Sequence, residues 1–401
     1  MATNQRHTNG MGGASRNGSA NSTRSKAAVQ KRKKKRKVII FAIEIAIILI
    51  MLGVLYVVMN ISNEGPKFTV LDPEELAIPS EIQQAKDEGE STMLGYMNIA
   101  LFGVDATNEK QIEKNSRSDA IMVASINMDT GDIKLVSVYR DTYLNIGTDT
   151  YTKCNAAYAK GGPQQAIKML NMNLDLDIQN FVTVSYNALM DVIDGLGGVY
   201  VEVKENEITH LNNYQRSIVT QWKYGVKLDD ATVSEKDFEV LKPSDYTPVT
   251  EAGYQLLNGL QATAYCRIRY VGNDFKRTEK QRAVIKAIQD QAKKADLKTL
   301  TEVFNKVVKQ VYTSLDQKDM LEMLGKIADY RIVDEAGFPQ MDQLTTGNIG
   351  ASGNCIVPQD LVSNVEWLHQ FLFEDEEYQV TSTVVECNEK IKKDTAQYLG
   401  E

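Results

Sequence analysis

Val38 to Met59 is a run of 22 residues in which Glu44 is the only charged side chain. As a helix it would measure ~33 Å, against roughly 30 Å of bilayer hydrocarbon. Such a segment dictates what the chain on either side of it can do. Glu44 stands near the start of the run, within reach of lipid headgroups, and the surrounding Ile, Leu, Val and Phe side chains outweigh one off-centre carboxylate. The run is too long for a signal-peptide core, and its exit through Tyr56, Val57, Met59, Asn60 and Ile61 offers no small-x-small cleavage site. These features predict one uncleaved transmembrane helix at 38–60. KRKKKRK, Lys31 to Lys37, abuts it. Alone, that heptamer would read equally as a nuclear-localisation string; beside a span, the positive-inside rule keeps it in the cytoplasm and sends the residues after 60 outside. Residues 1–37, rich in Asn, Ser, Gly and Thr, then form a disordered basic cytoplasmic tail.

Charge separates along the same line. Residues 1–37 hold 11 Lys/Arg and no acid, which leaves 34 basic against 53 acidic residues in the remainder. A body that acidic is repelled by polyanionic nucleic acid, so sequence-independent nucleic-acid binding is excluded. The chain has 4 Cys, too few for a disulfide scaffold, and 3 His. Those histidines, His7, His210 and His369, are far apart in sequence and give a His-rich zinc centre or a Ser/His/Asp triad little to draw on.

Residues 61–94, with Pro66, Pro73 and Pro79, read as an extracellular stalk carrying a short helix. From there strands are predicted at 97–104, 120–127 and 132–139, the last two joined by an Asp129–Asp132 hairpin turn. A helix follows at 163–174, then a strand in QNFVTVSY, a helix in YNALMDVIDGL and a strand in VYVEV. Residues 206–250 look like a polar, irregular excursion. ATAYCRIRY alternates like a strand, DFKRTEKQRAVIKAIQDQAKKA has the period of a long helix, 297–331 reads as further helix, and TGNIGASGNCIVPQD as a Gly-rich loop. The alternation predicts a layered α/β fold, an α-β-α sandwich with a mixed central sheet. No linker-like break divides 95–390, which is read as one domain, with 391–401 as a tail.

Within that body the arginines attract notice. If CRIRY is a strand, Arg267 and Arg269 share one face, because residues i and i+2 do. An isolated RxR usually marks a solvated sheet face, but here a helix follows in which Arg277, Gln281, Val284 and Ile288 recur at helical spacing. Arg277 and Gln281 thus begin a stripe that later becomes apolar and core-facing, and the polar end of a buried stripe wants a ligand. Asp274 stands at the expected N-cap, where plain capping competes with a catalytic role. Helix N-termini also favour phosphate. Arg117 and Asp119 precede one strand, Arg140 and Asp141 follow another, and Asp105 closes the first; each alone could be a surface ion pair or a turn former. Collected, they could make a bidentate phosphate clamp with a hard-metal site.

RSDAIMVASIN, VSVYRDTYL, KCNAAYAKGG, VIDGLGGVYV and LNGLQATAYCRIRY with NDFKRTEKQR resemble, in order over residues 97–290, the successive blocks of the LytR-CpsA-Psr family of Gram-positive cell-envelope proteins. The short cytoplasmic tail and signal-anchor also match. The resemblance implies an extracytoplasmic, membrane-anchored phosphotransferase that moves an anionic glycopolymer (teichoic acid, capsular or related polysaccharide) from a polyprenyl pyrophosphate carrier onto peptidoglycan. It implies pyrophosphate contacts at Arg117, Arg140, Arg267, Arg269, Arg277 and Gln281, and Mg²⁺ or Mn²⁺ ligands at Asp105 and Asp119. Arg140, Arg267 and Arg269 are then also catalytic, with Asp274 as a general base or as the residue orienting Arg277. Attack by a sugar hydroxyl on phosphorus needs charge neutralisation and alignment more than covalent catalysis, so this set suits it. Rival readings are a hydrolase that releases the glycan to water and a non-enzymatic receptor or regulator that binds the lipid-linked glycan.

The chain departs from the family pattern at Tyr139, where Pro is frequent, and at Cys154 and Cys266, where aliphatics are usual. As both cysteines lie beside the expected pocket, Cys154–Cys266 and Cys355–Cys387 disulfides are one of three possible connectivities, with four thiols as the alternative.

Overall fold

The computed structural model describes residues 67–399, apart from 105–111, 115, 227, 229–234, 269–272, 317, 321–322, 324–325 and 327. The expected tail and transmembrane helix at 1–60 lie outside the described residues, as do Asp105 and Arg269. Among the described residues no helix is long and apolar enough to cross a membrane.

In chain order the first half comprises β1 (Lys67–Phe68), α1 (Ser80–Glu88), β2 (Tyr96–Val104), β3 (Ser118–Asn127), β4 (Asp132–Val138), β5 (Tyr143–Asn145), β6 (Tyr151–Lys153), α2 (Ala156–Leu174), β7 (Asn180–Ser185) and α3 (Tyr186–Gly195). Then come β8 (Val199–Val203), α4 (Ile208–Tyr224), β9 (Gly253–Leu257), α5 (Gly259–Arg267), α6 (Asn273–Ala292), α7 (Leu297–Val307) and β10 (Val311–Thr313). The chain closes with β11 (Arg331–Phe338), β12 (Leu344–Asn348), β13 (Asn354–Pro358), α8 (Leu361–Phe373) and α9 (Ser382–Leu399).

Seven strands form the central mixed sheet in the order β1-β10-β7-β2-β3-β4-β11. β2, β4, β7 and β11 run one way, and β1, β3 and β10 the other. Period-two alternation decides the faces. Phe102, Val104, Ile121, Val123, Val136, Val138 and Phe181 point into the main core, where α2, α8 and α9 supply Ile167, Leu170, Leu368 and Ile391. Ile99, Leu101, Ile126, Ile133 and Val182 point to the other side. A second apolar cluster joins α3, α4, α5 and α6 to the β8–β9 ribbon through Ile193, Val201, Leu211, Leu257, Ala264 and Val284.

Several sequence expectations are corrected. Gly259–Arg267 is helical, not a strand. A reciprocal cap starts it: Asn258 Oδ1 accepts from the Gln261 N–H at 2.9 Å, and Gln261 Oε1 accepts from the Asn258 N–H at 2.9 Å. That box, and burial of Ala262, Ala264 and Tyr265 against the second core, override the β preference of Thr, Tyr and Ile. The excursion at 206–250 contains α4, whose apolar positions Leu211, Ile218 and Val219 are buried. The Gly-rich loop is the β12–β13 hairpin, and the helix expected over 297–331 stops at Val307, followed by strand β10 between β1 and β7. Leu71, Leu76, Ile82 and Met93 are buried in the main core, so packing begins before residue 95, and α9 runs on through 391–399 with Ile391 buried. The 163–174 helix is the second part of α2, which bends at Gly161–Gly162 just before Pro163.

Candidate functional site

Because β3 runs against β2 and β4, its first residues lie at the sheet edge where β2, β4 and β7 end. Ligands of open α/β sheets bind beyond such carboxyl ends. Asp119, the second residue of β3, is the hub there. Arg140, two residues past β4, donates through Nη1 to Asp119 Oδ1 at 2.5 Å. The Tyr186 hydroxyl donates to Oδ2 at 3.3 Å. Arg277 Nη2 donates to the Asp119 backbone carbonyl at 3.1 Å. Arg267, the last residue of α5, holds its guanidinium carbon 5.4 Å from the Tyr186 ring centre and 5.9 Å from that of Tyr214, within cation–π range.

Three guanidiniums therefore gather around Asp119: Arg140 on its carboxylate, Arg277 on its backbone carbonyl, and Arg267 on the ring of the Tyr186 that bonds it. Asp141 adds a second acid but also a fourth cation, lying 3.7 Å from Arg140 Nε and 3.2 Å from Lys153 Nζ. Positive charge stays in excess. Arg277 is only 2% exposed, and Gln281, one helical turn on, is buried as well. Arg267 Nη1 and Gln281 Oε1 are buried with no hydrogen-bond partner among the described residues. Leaving such atoms unmet costs about 1–3 kcal/mol each unless a ligand or water meets them. The arrangement suits an anion with several oxygens.

Of the residues read from the sequence, Asp119, Arg140, Arg267 and Arg277 are brought together, with Gln281 on the same helix stripe as Arg277. Arg267 reaches the site from a helix end, not from a strand face shared with Arg269. Arg117, two residues before Asp119, is exposed and takes no part in hydrogen bonds among the described residues. Asp274 lies inside the first turn of α6, not at an N-cap before it.

Sequence reasoning missed the aromatic wall. Tyr186 opens α3 immediately after its N-cap Ser185, whose Oγ accepts from the Ala188 N–H at 3.2 Å. Trp222 and Tyr214 arrive on α4, Trp222 with its ring 6.2 Å from that of Tyr186. A strand-to-helix junction with a Ser cap was legible; that the next side chain would face a carboxylate was not. Lys280 was missed too. It pairs with Glu207 at 2.8 Å, both side chains buried, and Glu207 Oε2 also accepts from the Lys204 N–H at 3.0 Å. That closed pair holds α6 against the turn before α4.

Tyr139 has its own accommodation. Its ring meets Phe275 of α6 edge-on at 4.5 Å between centroids, and its hydroxyl lies over Gly337. A Cβ on residue 337 would fall 2.0 Å from that oxygen, so the bulky residue at 139 requires glycine opposite. The four cysteines are thiols, which overturns the disulfide reading. Cys154 belongs to the main core and Cys266 to the second one. Cys154 Sγ instead donates to the Tyr139 and Arg140 carbonyls at 3.2 and 3.4 Å, steadying the turn that carries Arg140. Burial pushes the Cys266 thiol up to about 12 and Cys355 to about 11, so neither is a ready nucleophile.

For a metal, the donor chemistry at Asp119 is oxygen only, from a carboxylate and a tyrosine hydroxyl. That fits a hard cation, which accepts a few carboxylates and keeps phosphate oxygens in its shell. No cluster of three or more His, Cys, Asp or Glu occurs among the described residues.

Comparison with known proteins places the site in context. The LytR_cpsA_psr family model matches residues 69–352. The chain is 24% identical over 239 residues to polyisoprenyl-teichoic acid–peptidoglycan teichoic acid transferase TagT of Bacillus subtilis, a match covering 59% of this chain and 66% of that protein. Against the transferase TagU of Enterococcus faecalis, identity is 29% over 239 residues, covering 58% of this chain and 65% of the relative. The chain thus spans slightly under two thirds of the length of these relatives. A structure of TagT bound to LIIa-WTA superposes with a TM-score of 0.51 at 23% identity, covering 70% of this chain and 92% of that one, which establishes likeness of fold.

Proposed function

The chain belongs to the LytR_cpsA_psr family, and from this premise we propose that it is a phosphotransferase moving an anionic glycopolymer, teichoic acid or a related polysaccharide, from a polyprenyl pyrophosphate carrier onto peptidoglycan. The observation that carries the reading is the gathering of Arg140 and Arg277 on Asp119, with Arg267 beside them on the Tyr186 ring, at the carboxyl edge of the sheet. Relatives whose names state the teichoic acid transfer support the substrate class.

In the reaction, a sugar hydroxyl of peptidoglycan attacks the polymer-side phosphorus. The new O–P bond forms as the bond to the bridging oxygen breaks, and polyprenyl phosphate leaves with that electron pair. Arg140 and Arg267 neutralise the charge that builds on the phosphate oxygens, and Arg277, anchored on the Asp119 carbonyl, fixes their distance from the sheet. Arg269 and Gln281 complete the anion contacts in this reading, with Arg117 at the rim, and Asp274 takes the hydroxyl proton or orients Arg277. Asp119 with Asp105 would hold Mg²⁺ or Mn²⁺. The cation, when bound, adds charge neutralisation and alignment of the two phosphates. A bound anion would compete with Asp119 for the Arg140 guanidinium.

Residues 38–60 anchor the protein in the cell membrane, with the N-terminus cytoplasmic and the catalytic part outside, in a Gram-positive type of envelope. The test incubates the purified full chain in detergent with a lipid-linked glycan donor and a peptidoglycan fragment, with Mg²⁺ or with chelator, beside Arg267→Ala. Mass spectrometry should find glycan joined through phosphate to the fragment, reduced by chelator and by the substitution. Free glycan phosphate alone would move the assignment to a hydrolase, and intact bound donor to a receptor.

A further inference from the structure

Tyr186 touches two of the groups on which the proposed reaction depends. Its hydroxyl donates to Asp119 Oδ2 at 3.3 Å, and its ring lies under the Arg267 guanidinium with 5.4 Å between guanidinium carbon and ring centre. Asp119 Oδ1 is taken by Arg140, so the tyrosine sets the direction of the remaining oxygen. Arg267 Nη1, in turn, has no hydrogen-bond partner among the described residues. Within those residues the ring faces of Tyr186 and Tyr214 are what hold its guanidinium plane.

The tyrosine is itself well fixed. It is 8% exposed, follows a strand residue, Ser185, that pairs with Val104 at the end of β2, and sits in the first turn of a capped helix. Its ring is backed by Trp222 at 6.2 Å. A rigid phenol between a carboxylate and a guanidinium can keep the two apart. Without it the nearest solution for Arg267 is to collapse onto Asp119, as Arg140 already has, and the anion site would lose a donor and an acceptor together.

We infer that Tyr186 is a positioning residue that separates and orients Asp119 and Arg267, its hydroxyl fixing the carboxylate and its ring face fixing the guanidinium. It neither takes nor gives a proton in this role. The inference rests on the anion-site reading but not on turnover. It predicts that the two halves of the side chain act on different partners: the hydroxyl through Asp119, the ring through Arg267.

The experiment measures the affinity of inorganic pyrophosphate for the full chain in detergent by calorimetry, with and without Mg²⁺, in two double-mutant cycles. Tyr186→Phe is crossed with Asp119→Asn, and Tyr186→Leu with Arg267→Met. Tyr186→Phe keeps ring and volume, so it carries the test even if the leucine variant folds poorly, which a melting curve reports. Loss of the hydroxyl should weaken Mg²⁺-dependent binding about 10–100-fold, as expected for one hydrogen bond to a charged group, and should have no further effect in Asp119→Asn. Loss of the ring should weaken binding about 3–10-fold without metal, the range of a partly buried cation–π contact, and should have no further effect in Arg267→Met. A merely structural tyrosine would give additive losses in both cycles. Additive losses with binding intact overturn the role of Tyr186 alone; failure of the unaltered chain to bind pyrophosphate overturns the anion site and this inference with it.

Discussion

Two regions of this protein, α2 on one side and α5 with α6 on the other, bury polar atoms where an amphipathic pattern calls for apolar ones, and they dispose of them in opposite ways. On α2, Asn171 and Asn173 are both fully buried. Asn171 Nδ2 donates to the Leu76 and Ile178 carbonyls at 3.0 Å each, and its Oδ1 accepts from the Ile178 N–H at 2.9 Å. Asn173 Nδ2 donates to the Asn145 and Met169 carbonyls at 2.7 Å each, and its Oδ1 accepts from the Asn145 N–H at 3.1 Å. Both amides are satisfied at Nδ2 and Oδ1 alike, on backbone of the neighbouring segments and of α2 itself. On α5 and α6, Arg267 and Gln281 keep buried atoms unmet among the described residues, and cations outnumber the nearby carboxylates. Polarity closed on itself fastens loops; polarity left open is kept for a ligand.

The largest effect expected from this contrast is on the closed side. Asn171→Ala removes three hydrogen bonds and strands three buried backbone groups, at about 1–3 kcal/mol for each group. A loss of about 4 kcal/mol in urea unfolding is expected, with pyrophosphate affinity of the remaining folded protein unchanged. A loss under about 1 kcal/mol would mean that water replaces the amide and that the contrast is false.

On the open side the signs reverse. Arg267→Ala should cut glycan transfer about 100- to 1000-fold, the usual consequence of deleting one transition-state donor, while unfolding free energy moves by less than about 1 kcal/mol. Removing a guanidinium with an unmet donor relieves a desolvation cost, which offsets the lost packing on Tyr186 and Tyr214. Kinetics and urea titration of the same preparation check both halves, and a variant that loses stability in step with activity would make the arginine a fold element.

Secondary structure shows where sequence was readable. β2, β3, β4 and β7 stood out as short apolar runs bounded by turn residues, because the sheet is covered on both faces, by the main core on one side and a smaller cluster on the other. α5 was misread because its short run of Ala, Thr, Tyr, Cys and Ile satisfies strand and helix periods alike, and only the Asn258–Gln261 box and the second core decide. α4 was missed because its apolar stripe contains the buried Gln215 and is flanked by Asn212 and Arg216, whose partners, Val249 and Glu235, come from later in the chain. Asp119, Arg140 and Arg277 were readable as odd charges at element ends. Tyr186 and Tyr214 were not, since an aromatic beside an apolar run looks like core until the arginine over it is placed.

Acid extends the comparison to a third polar knot, beneath α8. Burial holds His369 down at about 4, despite its Nε2 contact at 3.1 Å with the Leu174 carbonyl. The unfolded chain protonates this ring near ~6.5. Between those values the unfolded state binds a proton that the fold refuses, so this contribution is complete above ~6.5 and is lost as pH falls toward about 4, up to about 3 kcal/mol. Asp175 beside it, raised by burial, acts with the opposite sign and gains stability as it protonates. His369→Gln should therefore flatten the loss of melting temperature between pH 6.5 and 4. An unchanged slope would show that His369 is not the source of the acid sensitivity.

The smallest effect tests the edge of the open site, where an unusual residue has been fitted without disturbing the arginines. Gly337→Ala places a Cβ 2.0 Å from the Tyr139 hydroxyl and 2.5 Å from its ring carbon. The ring cannot retreat freely, because Phe275 meets it edge-on at 4.5 Å. Overpacking of this kind costs about 1–3 kcal/mol, and the strain has two outlets: outward into α6, which carries Arg277, or along β11. Tyr139→Leu in the same chain removes the clash and should restore the melting temperature to within a few degrees. If strain reaches α6, Gly337→Ala alone will also weaken pyrophosphate binding, and the double variant will recover it. Recovery of stability without any change in binding would show that the site's geometry is set from Asp119 and not through Tyr139, which would confine the open region to the β3–α3 side of the sheet edge.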